Sequence, residues 1–232
     1  TYTSENASLM PALINTVIMT LLSLVIAVPL GIFAAIFLVE YAGRGNKFIG
    51  IIRLTTETLS GIPSIVYGFF GLVVIVPMVQ KLTGSSGKGL LTASLLLGMM
   101  ILPTIIGVAE TSIRAVPESY YEGSLALGAT HERSVFFAQL PAATSGVMSG
   151  VILGVGRAIG ETMAVIMIAG NQPIMPRGLL EGLRTMTANV VLEMGYASGL
   201  HRRALIATGV VLFVFILIIN TCFSLLKRRD QR

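Results

Sequence analysis

Two charged residues, Arg157 and Glu161, interrupt an apolar stretch that otherwise suits a membrane span. The stretch runs from about residue 135 to residue 169. A charge at the centre of a bilayer costs roughly 3 kcal/mol on insertion scales, and intramembrane charges commonly mark a transport path. A guanidinium offers a planar fork that suits an oxyanion. These residues predict a site for an anionic substrate. The alternative is a structural Arg157–Glu161 ion pair that neutralises itself.

A carboxylate beside an anion is explained if the anion carries a proton. Monohydrogen phosphate can donate a hydrogen bond to Glu161, whereas sulfate at neutral pH cannot. The pair therefore favours phosphate over sulfate as a substrate. Three hydroxyl groups near membrane depth, those of Ser64, Thr104 and Thr162, are further candidates to line the path. The alternative for each hydroxyl is a hydrogen bond to the backbone of its own helix.

Glycines recur every four residues before this charged pair, at Gly146, Gly150 and Gly154. On a helix they form one stripe of small residues, and such stripes let a second helix approach closely in lipid. If the helix continued, Arg157 would lie about 20° and Glu161 about 60° from the direction of Gly146. Both charges are therefore predicted to face a partner helix or a cavity rather than lipid.

The segment before this span, residues 115–134, predicts two short helices that lie off the bilayer. Pro117 is suited to open the first helix, with Glu118 favourable in its first turn. Gly128 is suited to end it, and Thr130 can cap the second. The alternative is one plain interfacial helix.

Composition indicates that these elements belong to an integral membrane protein. Of the 232 residues, 54% are hydrophobic and 12% are charged, about half the charged fraction of a soluble domain. A single cysteine, Cys222, excludes an internal disulfide. The pattern predicts an all-α polytopic helix bundle that forms a single transmembrane domain over residues 1–232. Residues 171–199 predict an external loop with short helices. About five spans are expected, near residues 9–39, 59–79, 90–109, 135–169 and 204–226.

Basic residues are more frequent on one side of this predicted topology, which makes that side cytoplasmic. The net charge of +5 therefore indicates loops that orient spans, and no nucleic-acid partner is expected. The cytoplasmic set is Arg44, Lys47, Arg53, Arg114, Arg133, Lys227, Arg228, Arg229 and Arg232. The only two histidines, His131 and His201, fall on opposite sides of the membrane, so no metal site is expected.

The cytoplasmic segment resembles the EAA loop of ABC importer permeases. Glu122, Gly128 and the Leu140-Pro141 pair reproduce the spacing of that loop, with small residues after the glutamate. In this family the loop docks in a groove of a cytoplasmic ATPase. The resemblance implies that ATPase closure is transmitted to the spans by one set of residues: Tyr121, Glu122, Gly123, Ser124, Gly128, Ala129 and Thr130.

Three further stretches, residues 156–165, 61–68 and 191–197, are similar to C-type permeases of the phosphate-specific transport (Pst) family. The resemblance implies the type I ABC importer permease fold in a bacterial plasma membrane, with Arg157 and Glu161 acting on inorganic phosphate. It also implies an A-type permease partner, an ATPase dimer that holds ATP and magnesium, and an extracytoplasmic phosphate-binding protein. No cofactor is expected in this chain. Family members usually have six spans, so the first is expected to be missing here.

Three rival functions remain open on the sequence. A permease for another oxyanion, such as sulfate or molybdate, would have the same architecture. A stand-alone ion-coupled transporter would need paired half-repeats with their own coupling-ion ligands, and no such repeat is visible. A membrane-embedded enzyme lacks a plausible nucleophile or metal set.

Overall fold

The computed structural model describes residues 9–41, 47–175 and 177–229, which are mostly helical. Five of the helices in these ranges are long and apolar enough to cross a membrane, over Met10–Tyr41, Ser64–Thr83, Leu90–Arg114, His131–Gly160 and Gly199–Phe223. The all-α polytopic class is thereby confirmed. The helices are α1 (Met10–Tyr41), α2 (Lys47–Gly61), α3 (Ser64–Thr83), α4 (Leu90–Arg114), α5 (Glu118–Ala126), α6 (His131–Gly160), α7 (Met163–Ile168), α8 (Met186–Met194) and α9 (Gly199–Arg229). Arg44, Pro176 and Arg232 lie outside the described residues.

The second span begins later than the sequence predicts. Residues 59–61 belong to α2, and α3 starts at Ser64 after the extended Pro63, whose φ is −59° and ψ 141°. Proline lacks a backbone amide and disfavours helical geometry in the residue before it. A helix therefore ends before Pro63 and a new one starts after it.

The fourth predicted span, residues 135–169, is two helices in the structure. The first, α6, begins earlier, at His131, and ends at Gly160, and α7 starts at Met163. The two residues between them, Glu161 and Thr162, are not helical. The physical reason is a hydrogen-bonding choice made by Glu161, described below.

The chain packs as two compact units, and the charged pair belongs to the first. The first unit comprises residues 1–26, 62–100 and 155–221. Its fully buried side chains include Met19, Leu96, Ile168, Met186 and Leu205. A methyl group added at Gly71 would lie 2.9 Å from Leu96 and 3.2 Å from Ile168, so α3 lies directly against α4 and α7.

The second unit comprises residues 27–61, 101–154 and 222–232. Its core is a cluster of small and branched apolar side chains from α1, α4 and α6: Ala35, Ile36, Ala109, Ile113, Val135, Ala143 and Val147. Tyr121 of α5 and Leu140 of α6 pack against this cluster. The segment predicted to contact an ATPase is thus attached to the core of this unit.

The glycines at 146, 150 and 154 face α4. A methyl group at Gly146 would lie 2.5 Å from Ser112 Cβ, one at Gly150 would lie 3.1 Å from Val108, and one at Gly154 would lie 3.3 Å from Ile105. At Gly146 the backbone of α6 therefore comes closer to α4 than a side chain would allow without a shift, and at Gly150 and Gly154 an added methyl group would be tightly packed. This is the use of small residues that packing in lipid favours.

The segment between α7 and α9 folds back onto the start of α4. The amides of Leu90 and Leu91 donate to the carbonyls of Glu181 and Leu179, at 3.0 and 2.7 Å. The first amides of a helix have no partner within it, and this segment supplies partners to two of them. A methyl group at Gly89 would lie 2.7 Å from the carbonyl oxygens of Leu180 and Glu181, so the approach requires glycine.

Candidate functional site

The predicted substrate residues lie at the break between α6 and α7. Arg157 is in the last turn of α6, Glu161 directly follows its last residue, and both are partly buried. Because the helix ends at Gly160, the predicted position of Glu161 on the glycine stripe is wrong. The break places the carboxyl group by local backbone geometry rather than by helical periodicity.

The carboxylate of Glu161 caps the next helix. Its Oε1 atom accepts hydrogen bonds from the amides of Thr162 at 3.0 Å and Ala164 at 3.2 Å. The start of a helix carries unpaired amides and partial positive charge, which a carboxylate stabilises. The carboxylate thus has hydrogen-bond partners other than Arg157, which weakens the case for a self-neutralising Arg157–Glu161 pair. The two bonds leave Oε2 as the oxygen available to a substrate proton.

The three candidate hydroxyl groups occupy different positions. Thr162 Oγ1 donates to the carbonyl of Gly160 at 3.1 Å, which is the backbone alternative considered for this residue. Ser64 is the partly buried first residue of α3 and lies in the first unit with Arg157. Thr104 is partly buried on α4 in the second unit. Of the three candidate hydroxyl residues, Ser64 and Thr162 thus share a unit with Arg157 and Glu161.

Tyr67 is a residue of this region that sequence reasoning missed. It is buried on α3, and the Arg157 charge acts electrostatically on its phenol. The neighbouring Gly68 brings α3 onto α7, because a methyl group there would lie 3.0 Å from Ala164 Cα and 2.8 Å from Met167 Sδ. The sequence feature that could have pointed to Tyr67 is a tyrosine beside a glycine within an apolar span.

A short helix, α8, holds the break from the other side. Thr187 Oγ1 donates to the main-chain carbonyl of Glu161 at 3.0 Å. Thr185 caps α8 by accepting from the amide of Ala188 at 3.3 Å, and its hydroxyl lies 3.2 Å from that of Thr187. Both threonines are buried. The position of Glu161 therefore depends on residues about 25 positions further along the chain.

A partly buried ion pair fixes α8 in turn, and sequence reasoning missed it. Arg184 Nη1 lies 2.7 Å from Glu193 Oε1, with the two side chains 14% and 12% exposed. Arg184 also donates to the carbonyl of Asn171 at 3.0 Å and to Asn189 Oδ1 at 3.3 Å. His201 Nε2 lies 3.8 Å from the second oxygen of Glu193. The signal was a glutamate in the apolar stretch 186–194, nine residues after an arginine.

The first helix anchors the same segment. Asn15 is fully buried, and its Nδ2 donates to the carbonyls of Ile174 at 3.1 Å and Arg184 at 3.2 Å. Thr16 Oγ1 accepts from the amide of Met186 at 3.0 Å. Polar groups of α1 thus satisfy backbone groups of the non-helical segment that leads into α8.

The segment of residues 115–134, predicted to be cytoplasmic, folds largely as its motifs predict. The first helix, α5, starts at Glu118 after Pro117, and Gly128 adopts a φ of +86° at the bend that follows. Thr130 accepts a 3.4 Å hydrogen bond from the amide of Arg133 and caps the next helix. That second helix is not separate, however, because it continues as the first turn of α6. A free helix is avoided since a one-turn helix is not stable alone.

The predicted coupling residues form an outer and an inner set. The inner set, Tyr121, Ser124 and Ala129, is partly buried against the unit, with Ser134 Oγ donating to Ser124 Oγ at 3.0 Å. The outer set, Glu122, Gly123, Gly128 and Thr130, is exposed. At the bend Leu127 is 91% exposed.

Among the described residues no group of three or more histidine, cysteine, aspartate or glutamate side chains could hold a metal ion. The residues at the break carry a guanidinium and a carboxylate, beside the backbone amides that precede and begin α7. These groups can bind and orient an oxyanion.

Comparison with known proteins places this geometry in a family. The family model described as "binding-protein-dependent transport system inner membrane component" matches residues 27–230. The probable ABC transporter permease protein YqgH of Bacillus subtilis is 38% identical over 218 residues, covering 91% of this chain and 70% of that relative. The phosphate transport system permease protein PstC of Haemophilus influenzae is 36% identical over 236 residues, covering 93% and 73%.

Solved structures show the same fold at low identity. The inward-facing MetNI methionine ABC transporter has a TM-score of 0.70 at 19% identity, covering 96% of this chain and 94% of that chain. A bacterial ABC transporter involved in the import of the acidic polysaccharide alginate has a TM-score of 0.71 at 13% identity, covering 96% and 80%. The fold is that of type I ABC importer permeases, as the sequence predicts.

Proposed function

We propose that this chain, which belongs to the family of inner membrane components of binding-protein-dependent transport systems, carries inorganic phosphate in an ATP-driven importer. Its family makes it an ABC importer permease subunit and a multi-pass membrane protein, a transport component rather than an enzyme. The phosphate assignment is the step beyond the family.

The observation that carries phosphate is a helix break flanked by Arg157, in the last turn of α6, and by Glu161, whose carboxylate is held by backbone amides. Arg157 supplies a bidentate donor for an oxyanion. The amides of Thr162 and Ala164 hold Oε1 of Glu161. The remaining oxygen, Oε2, can accept a hydrogen bond only from an anion that still carries a proton. The relatives named PstC, 33–36% identical to this chain, support the same substrate.

Movement of the anion requires partners. The family implies a second permease, an ATPase and a periplasmic binding protein. We infer an A-type permease whose spans complete the path, an ATPase dimer beneath, and a binding protein that delivers phosphate. ATP and magnesium are held by the ATPase. The exposed surface around Glu122, Leu127 and Thr130 would dock on it, so that closure of the dimer shifts the equilibrium between two states of the spans.

The test is ATP-dependent uptake of phosphate by the full assembly in vesicles, with Arg157→Gln in this chain. We expect uptake to fall by about a hundredfold, the loss of a charged, bidentate contact of roughly 3 kcal/mol. The control is Arg203→Gln, which removes an exposed arginine of α9. Unimpaired uptake with Arg157→Gln removes the proposed site.

Competition by other anions decides the substrate. Excess sulfate or molybdate should leave phosphate uptake unchanged, and arsenate, which has a similar pKa and carries a proton, should compete. Inhibition by sulfate together with ATP-driven sulfate uptake would assign the permease to that anion instead. Uptake by the purified chain without any ATPase would overturn the importer assignment.

A further inference from the structure

His131 lies in the coupling segment, residues 115–134, and its ring contacts two tyrosines. Its Nδ1 lies 2.7 Å from the phenol oxygen of Tyr121, a hydrogen bond that the phenol donates when the neutral ring is protonated on Nε2. The rings of Tyr121 and His131 meet edge to face, with centroids 5.7 Å apart and planes at 80°. His131 is the first residue of α6, and Tyr121 lies in α5. The bond therefore joins the two helices of the coupling segment.

The opposite side of the imidazole contacts the first span. The ring of Tyr41, at the end of α1, meets His131 edge to face at 5.1 Å and 78°. Such aromatic pairs contribute about 0.5–1.5 kcal/mol beyond the area that they bury. One side chain thus contacts α5 through Tyr121 and α1 through Tyr41.

Other bonds hold this end of α1 without reaching α5. Gln139 Nε2 donates to Glu40 Oε1 at 2.7 Å, and Arg114 Nη2 donates to the carbonyl of Leu38 at 3.3 Å. These bonds tie α1 to α6 and α4. No residue of α5 itself is buried, so α5 depends on few attachments, of which the bond to His131 is a short polar one.

We propose that His131 is a positioning residue that makes the cytoplasmic end of α1 follow the movement of α5. When the ATPase displaces α5, the Tyr121–His131–Tyr41 contacts carry the displacement to α1 as well as to α6. This role rests on the proposed importer function, but not on the identity of the transported anion. Without His131 the ATPase would still dock and hydrolyse ATP, while less of that work would reach the spans.

The experiment measures phosphate uptake and ATP hydrolysis together, in vesicles that hold the full assembly and its binding protein. Tyr121→Phe removes the hydrogen bond and keeps the ring that packs against the core. His131→Ala removes both contacts, and His131→Asn keeps an acceptor near the position of Nδ1. The matched control is Tyr120→Phe, which removes an exposed phenol oxygen from the adjacent position of α5.

We expect phosphate transported per ATP to fall about threefold to tenfold in Tyr121→Phe and His131→Ala, as for loss of one hydrogen bond. The ratio should recover only in part in His131→Asn, which keeps an acceptor for Tyr121 but lacks the ring that contacts Tyr41, and it should stay unchanged in Tyr120→Phe. A normal ratio in Tyr121→Phe contradicts the proposal, and this variant decides the matter if His131→Ala fails to assemble. Equal loss in His131→Asn and His131→Ala, with Tyr121→Phe normal, would also contradict it.

A second measurement separates this proposal from the choice of substrate. Amide hydrogen exchange at residues 38–41 should change when a non-hydrolysable ATP analogue binds the assembly. The change should be reduced in His131→Asn, which lacks the ring that contacts Tyr41, and should disappear in His131→Ala and Tyr121→Phe. If the unsubstituted assembly takes up no phosphate, the proposed substrate is wrong, and the exchange result still decides the role of His131.

Discussion

The hydroxyl of Thr187 holds the main-chain carbonyl of Glu161 at 3.0 Å. That carbonyl lies between α6 and α7, so it belongs to neither helical ladder. Thr187 is 8% exposed and lies in α8, which Arg184 and Glu193 fix in place. The segment between α7 and α9 therefore positions one of the two charged residues of the proposed phosphate site.

Removal of this hydroxyl should weaken phosphate binding without touching the substrate. Thr187→Ala leaves the Glu161 carbonyl without its donor, a loss of about 1–3 kcal/mol in the free energy of unfolding. We expect a raised KM for phosphate uptake, with the maximal rate less affected. Thr187→Ser should restore both quantities because it keeps the hydroxyl.

Thr208→Ala is the matched control for Thr187, because the buried Thr208 bonds to the Ala204 carbonyl of its own helix. Its KM should stay normal. If Thr187→Ala has the same KM as this control, the segment between α7 and α9 does not position Glu161.

Two substitutions at Glu161 separate its charge from its capping bonds. Glu161→Gln keeps a side-chain oxygen for the amides of Thr162 and Ala164 but removes the negative charge. We expect near-normal thermal stability, reduced phosphate uptake and a loss of preference for phosphate over sulfate. Glu161→Ala loses the cap as well and should be less stable by about 0.5–2 kcal/mol.

Thermal unfolding in detergent and anion competition in vesicles measure these two effects. Unchanged uptake and selectivity in Glu161→Gln would assign the carboxylate a structural role alone.

The glycine stripe can be tested on one helix. Gly146→Ala places a methyl group 2.5 Å from Ser112 Cβ, and overpacking of this kind costs about 1–3 kcal/mol. Gly156→Ala, on the same helix, meets nothing within 4 Å and should be neutral or stabilising by up to about 1 kcal/mol. The unfolding midpoint of the purified chain measures both. Equal midpoints would mean that α6 and α4 can move apart at no cost.

The sequence was sufficient to predict the five spans, because apolar length is a local property that each span carries within itself. The coupling segment was predictable for a similar reason, since Pro117, Gly128 and Thr130 set the backbone where they stand. The separate helix α2 was missed, because the sequence between spans one and two shows charges and threonines without a long apolar run.

The break at Glu161 was not predictable from periodicity. An apolar helix could have continued through residues 160–162. It ends there in the structure, where the Glu161 carboxylate accepts hydrogen bonds from the amides of Thr162 and Ala164. The network of Asn15, Thr16, Arg184 and Glu193 joins residues up to 170 positions apart, and no local sequence feature indicates such pairs. Arg157 and Glu161 could be singled out as candidate site residues because a charge within a span is unusual wherever it occurs.

The separation between Asn15 and its partners has a consequence for synthesis. Asn15 donates to the carbonyl of Arg184, 169 residues later, and a ribosome adds about 5–20 residues per second. The first span must therefore wait roughly 10 to 30 seconds with an unpaired amide side chain before its partner exists. During that interval water, the insertion machinery or a neighbouring chain has to satisfy the amide. The first span can complete its own hydrogen bonds only when most of the protein has been made.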